Sequence, residues 1–423
     1  MAKLSKPRET ALKILVDIDK NGAYLNLALR EALENSAMEN RDKALASMLV
    51  FGVTKNRLYI DKVIEKLSTV KLKKLSVWIH NILRIGVFSI EFLDKIPISA
   101  TVNECVLLAK RYGHGASSGF VNAVLRNTEK HQDVCGDKNT DEYLSVKYSF
   151  PMWIVKLWRS MGYGEELFEC MNQNPPVIVR MNTLKTDFLS EKFKRIENLP
   201  HAYIYIGGGT VEETEEYKNG LVSVQDSASQ RAVNLLSPKK HSAVLDLCSA
   251  PGGKTCYMAQ LMENTGKIVA CDIYEHKLAL IENNCKRQGV TNVKVMQNDA
   301  LVLNEEFVEA FDYVVADVPC SGLGIIRRKP DIKWTKSENE ISQLCDIQKR
   351  ILQNASKYVK KGGKLLYSTC TVNSAENTET VKQFLSENKE FRIVDSCGPF
   401  GVQMLPNSDA CDGFFAAVSE RMS

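Results

Sequence analysis

Leu245-Asp246-Leu247-Cys248-Ser249-Ala250-Pro251-Gly252-Gly253-Lys254-Thr255 is the stretch on which the fold turns. An apolar run carrying an acid is followed by small residues, and two adjacent glycines then open a helical pattern. Such a strand-to-helix turn lets backbone pass close to a ligand. Downstream, apolar runs and helical periods alternate. Strands are expected at 243–247, 267–272, 293–297, 312–317 and 364–369, with helices near 253–263, 275–288, 338–358 and 376–388. That alternation builds a doubly wound, mostly parallel sheet with helices on both faces.

In such a sheet the ligand lies beyond the carboxyl ends of the strands. Asp272 ends the second strand, where an acid commonly accepts from ribose hydroxyls. Asn298-Asp299 follows the third strand and is placed to contact an adenine ring. Two familiar glycine motifs do not fit. A phosphate-binding P-loop needs a glycine where Cys248 stands, and a dinucleotide fingerprint needs spaced rather than adjacent glycines.

Two cysteines then stand at strand ends, in Asp317-Val318-Pro319-Cys320-Ser321-Gly322 and in Tyr367-Ser368-Thr369-Cys370-Thr371. Methylases of exocyclic amines typically carry an aromatic residue after the proline; here it is a thiol. Two candidate thiol nucleophiles beside a nucleotide-cofactor turn suit few reactions. One is methylation of carbon 5 of a pyrimidine, which becomes nucleophilic only after a thiolate adds to carbon 6. Arg327, Arg328, Lys333 and Trp334 follow in a basic loop suited to phosphates and an unstacked base.

The rest of the chain is consistent with this. At 423 residues it is long enough for two or three domains. Its 12 cysteines are scattered, without the paired spacing of a zinc site, so reduced thiols and no metal are expected. No apolar run reaches bilayer length, so a cytoplasmic protein without a membrane partner is expected. Residues 1–130 hold 21 Lys and Arg against 13 Asp and Glu, whereas the remainder holds 34 against 38. A basic front third fits a polyanion-docking module, and a solvated lysine-rich surface fits it equally well. That third reads as almost wholly helical, from the spacing of Leu12, Leu15 and Ile18 to that of Ile79, Ile82 and Leu83. Lys130 to Asp141 is a polar linker, one or two further helices are expected over 142–172, and short strands begin near Val177.

Together these residues resemble the RNA cytosine-5 methyltransferase family over nearly the whole chain, and residues 5–130 resemble NusB-like helical RNA-binding domains. The resemblance implies a Rossmann-like α/β class I methyltransferase domain, dependent on S-adenosylmethionine, behind an all-α domain. The expected division is 1–130, a linking and RNA-binding region at 142–235, and 236–423. The family implies that the cofactor contacts Cys248, Ser249, Ala250, Pro251, Gly252, Gly253, Lys254, Asp272, Asp299 and Asp317. Cys370 matches its nucleophile, Cys320 the cysteine that assists product release, and Asp317 a group at the cytosine edge. Arg180 and Asn182 match a segment near the RNA. The implied partner is 16S ribosomal RNA, met by a monomer. A non-catalytic RNA-binding or assembly factor, or a methylase of transfer RNA, are the alternatives.

Overall fold

The computed structural model describes residues 5–34, 36–409 and 411–422. The chain forms two compact units, Met1–Asn172 with Arg328–Thr335, and Gln173–Arg327 with Lys336–Ser423.

The first unit is helical. Lys6–Asn21, Leu25–Glu34, Asn40–Lys55, Arg57–Leu67, Val77–Phe92, Ile98–Tyr112 and Ser117–Arg126 are its first seven α-helices. Leu12, Leu49, Ile82, Leu83, Val121 and Leu125 share one core. Val77–Phe92 is buried along most of its length, polar side chains included. Its Arg84 is satisfied internally, 2.7 Å from both Asp19 and Asp61. The segment 142–172 forms three helices, Asp141–Lys147, Met152–Ser160 and Glu165–Asn172. The last two close on Phe150, whose ring lies 5.1 Å from Trp158 and 5.4 Å from Phe168. These helices group with the first unit, not with the strands that follow, so the boundary falls at 172 and not near 142.

The second unit holds two sheets. The smaller is antiparallel, in the order β2-β3-β1-β4, from β1 (Ile178–Met181), β2 (Phe193–Arg195), β3 (Ala202–Tyr205) and β4 (Val222–Val224). The larger comprises β5 (Ala243–Asp246), β6 (Lys267–Asp272), β7 (Val293–Gln297), β8 (Phe311–Asp317), β9 (Val359–Thr369), β10 (Phe391–Ile393), β11 (Val402–Met404) and β12 (Phe414–Arg421). Its order is β10-β12-β9-β8-β5-β6-β7, with β11 also on β12. The pairs from β7 to β9 are parallel, and β12 runs antiparallel to β9. The expected strands and helices all form, with ends shifted by a few residues. The main difference is that β9 starts at Val359, upstream of the strand expected from 364, because a register irregularity near Phe311 absorbs the residues between.

Alternation along β8 explains the two-sided core. Val314 and Ala316 pack with Leu245, Leu365 and Phe415 on one face. Tyr313 and Val315 pack with Val244, Leu366 and Val418 on the other. The strand order reverses at β5, which lies between β6 and β8. A crevice must open there at the carboxyl edge, because successive connections leave β5 in opposite directions.

Candidate active site

The turn after β5 is built to bring backbone close to a ligand. Leu247 N donates to Val315 O at 2.9 Å, and Ser249 N and Oγ donate to Cys271 O at 2.8 and 2.9 Å. Gly252 then adopts φ +99°, and a Cβ there would also press on Ile281 at 3.3 Å. The helix Gly253–Leu261 starts at this point, so its first amides face the crevice. Asp272 accepts from Ala250 N at 3.4 Å and Tyr274 N at 3.1 Å. Asp299 is half-buried and accepts from Leu301 N at 2.9 Å. A cavity of about 350 Å³ lies between these acids, lined also by Cys248, Ile273 and Tyr274. A second, of about 220 Å³, is lined by Gln225, Asp246, Cys248, Lys254 and Asp317. Cys248 borders both, so the two adjoin.

Asp246 was not among the expected contacts, although its place at the end of β5 is legible. It is buried, and Thr255 Oγ1 donates to its Oδ2 at 2.6 Å. Its Oδ1 has no partner. Burial pushes its carboxyl up to about 7 against the partial relief given by Thr255. The native state therefore holds this proton more tightly than the unfolded chain does, and stability falls as pH rises from about 4 to about 7. Asp246→Asn removes that dependence. In ligand-free protein its Tm is expected to exceed wild type near about pH 8 and to match it near about pH 4. Calorimetry at both values checks this, and an equal shift at both would contradict it.

Asp317, 30% exposed, is fixed from both sides. Lys254 Nζ lies 2.7 Å from its Oδ2, and Ser368 Oγ donates to Oδ1 at 2.6 Å. Beyond it the chain reaches Cys320, while Cys370 ends the adjacent β9. The two sulfurs stand 3.1 Å apart, and Cys370 N points at Cys320 Sγ at 3.3 Å. Both are free thiols. The bond to Cys370, followed by burial, pushes the Cys320 thiol well above the usual range. Gly324 makes this proximity possible. Its N donates to Cys370 O at 3.0 Å, and a Cβ there would lie 1.9 Å from Gly413 O.

The five residues expected at the RNA are placed differently. Arg180 is fully buried, donating to Gln260 Oε1 at 3.1 Å, Gly253 O at 2.9 Å and Gln288 Oε1 at 2.5 Å, and also to Gln225. Asn182 is buried and donates to Gly220 O at 2.9 Å and Gln288 O at 2.8 Å. Arg327 is turned inward, its Nε 2.6 Å from Asp412. Lys333 is buried in the helical unit, its Nζ held by Lys55 O, Tyr148 O and Asn172 Oδ1 at 3.2, 3.1 and 2.8 Å. Arg180, Asn182 and Lys333 spend their donors on protein oxygens and Arg327 pairs with Asp412, a placement that favours an internal, shape-holding role over direct RNA contact. Arg328 is half-buried in the same segment as Lys333.

A parallel sheet that reverses at β5, with acids ending β5, β6 and β8 around a glycine turn, defines a methyltransferase fold of the S-adenosylmethionine-dependent class. Residues 233–419 match the family described as 16S rRNA methyltransferase RsmB/F, and residues 5–130 match the NusB family. The "Probable ribosomal RNA small subunit methyltransferase B" of Bacillus subtilis (strain 168) is 34% identical, with 98% of each chain covered. The protein of the same description from Synechocystis sp. is 32% identical, over 97% of this chain and 98% of its own. The crystal structure of PH0851 matches with a TM-score of 0.83 at 27% identity, covering all of both chains. The chain belongs to the ribosomal RNA small subunit methyltransferase B family, and it is a methyltransferase. Both the fold class and the resemblance read from the sequence hold. Among the described residues no helix is long and apolar enough to cross a membrane, and no group of three His, Cys, Asp or Glu could hold a metal ion.

Proposed function

We propose that this chain methylates carbon 5 of a cytosine in 16S ribosomal RNA, acting as a monomer in the cytoplasm, with S-adenosylmethionine as donor. The observation that carries the reading is the pair of thiols 3.1 Å apart at the ends of β8 and β9, next to Asp317. The turn fits the cofactor. Asp246 Oδ1, buried and without a partner beside the cavity, suits the ammonium of an amino-acid moiety. Asp272 would hold the ribose, and Asp299 and Tyr274 would border the adenine. Backbone from Cys248 to Gly253 would line the path between, with Lys254 at its end. When bound, the cofactor supplies an electrophilic methyl group.

The protein's own residues do the rest. The cytosine leaves its stack so that carbon 6 becomes reachable. Cys370 adds there as a thiolate, which raises electron density at carbon 5. Asp317 accepts from the cytosine amine, and Lys254, held against it, stabilises the charge that develops on the ring. Once carbon 5 carries the methyl group, a base takes its proton, that electron pair re-forms the 5,6 double bond, and Cys370 leaves as a thiolate with the help of Cys320. Labelled methyl transfer to unmodified 16S ribosomal RNA, with transfer RNA alongside, tests this after digestion to nucleosides. Label in 5-methylcytidine from the ribosomal RNA alone is expected. Label in transfer RNA would overturn the substrate, and none in either would favour a binding factor.

A further inference from the structure

Glu376 was invisible as a site residue in the sequence, and the structure puts it beneath both cysteines. Its side chain is completely buried. Oε1 accepts from Ser321 N at 2.8 Å and Gln348 Nε2 at 3.0 Å. Oε2 accepts from Ser321 Oγ at 2.6 Å and Asn373 Nδ2 at 3.1 Å. All four donors are neutral. Ser321 directly follows Cys320, and its Oγ lies 2.8 Å from the hydroxyl of Thr371, which directly follows Cys370. Gln348 Nε2 also donates to Pro319 O at 2.9 Å, on the other side of Cys320. One carboxylate thus holds the loops of both thiols.

A neutral side chain cannot replace it. A carboxylate is acceptor-only and can take all four donors, whereas a glutamine would turn two donor hydrogens toward groups that already donate. A buried charge without a countercharge is also expensive. The charge does one thing that an amide could not: it opposes a second negative charge on the nearby Cys320.

We propose that Glu376 is a positioning residue for the release step, holding Cys320 as a thiol with its sulfur against that of Cys370. The inference rests on the covalent reading above. Neighbouring charge supports it, since Glu376 acts together with the Cys370 bond and burial to keep the proton on Cys320. With its loop unpinned, Cys320 would assist elimination poorly, while addition by Cys370 would continue.

The test is denaturing electrophoresis of Glu376→Gln with 16S ribosomal RNA and S-adenosylmethionine, with wild type and Cys320→Ser as references. Expected are a kcat lower by about 100-fold, as for a catalytic group displaced by an ångström, an unchanged KM for the cofactor, and a denaturant-resistant RNA adduct. A purely structural role would lower activity without an adduct, and that result, or full activity, overturns the proposal. Affinity for S-adenosylhomocysteine reports whether the variant is folded. If it is lost, Ser321→Ala takes its place, since it removes only the hydroxyl between carboxylate and Thr371; an adduct there supports the proposal, and none overturns it. An adduct missing from Cys320→Ser itself would instead sink the covalent reading, and this inference with it.

Discussion

Cys370→Ser is expected to end methyl transfer, with a loss in kcat on the order of 10⁴-fold or more, as when a nucleophile is removed. The hydroxyl is smaller and far less acidic, so it supplies almost no anion to add to carbon 6. Little else should change. The backbone at this position is held independently, by Gly324 N on Cys370 O at 3.0 Å and by Thr369 Oγ1 on Asn377 at 2.6 Å. The turn proposed for the cofactor follows β5, another strand. Affinity for S-adenosylhomocysteine should therefore stay near wild type while single-turnover methylation disappears, and no adduct should form. A variant that retains more than about a hundredth of the wild-type rate would remove Cys370 from the nucleophile's role.

The parts of this site that depend on local order were legible in the sequence. The turn Cys248–Gly253, the acids at 272, 299 and 317 and the two cysteines all follow from where strands end, and strand ends follow from short apolar runs. What depends on distant partners was not. Arg180 reads as a basic residue near a strand, yet its partners come from positions 225, 253, 260 and 288, which only the folded chain brings together. A positive residue's sign says nothing about which oxygens surround it. Lys333 shows the same from the opposite direction. It lies in a basic stretch that invites phosphate, but the segment 328–335 belongs to the helical unit and its amine is enclosed there. Glu376 sits just before the helix Thr378–Glu387, where an acid reads as a favourable dipole contact. Only its four donors, from residues 321, 348 and 373, reveal what it holds. The boundary at 172 was obscured for a related reason: Phe150, Trp158 and Phe168 read as anchors without indicating what they anchor to.

Cys320→Ser should fail in the opposite way, by completing addition and methylation and then holding on to its product. In the native pair the Cys320 thiol, pushed up by its bond to Cys370 and by burial, stands 3.1 Å from the sulfur that must leave. A serine there is a weaker acid with a smaller, less polarisable atom, and it can neither exchange a proton readily nor stand at the same distance from Cys370. The step that needs two thiols is the one that should stall. Turnover is expected to drop to about a single cycle, with an RNA–protein complex that survives denaturant and requires the methyl donor. The double variant Cys320→Ser, Cys370→Ser should show no complex, since the bond is made by Cys370. Labelling the RNA and the methyl group separately would reveal whether the trapped base already carries its methyl. A complex in the Cys370→Ser variant rather than the Cys320→Ser variant would exchange the two roles. That outcome would put the reactive thiolate on Cys320, whose thiol the bond to Cys370, burial and the Glu376 charge all push up.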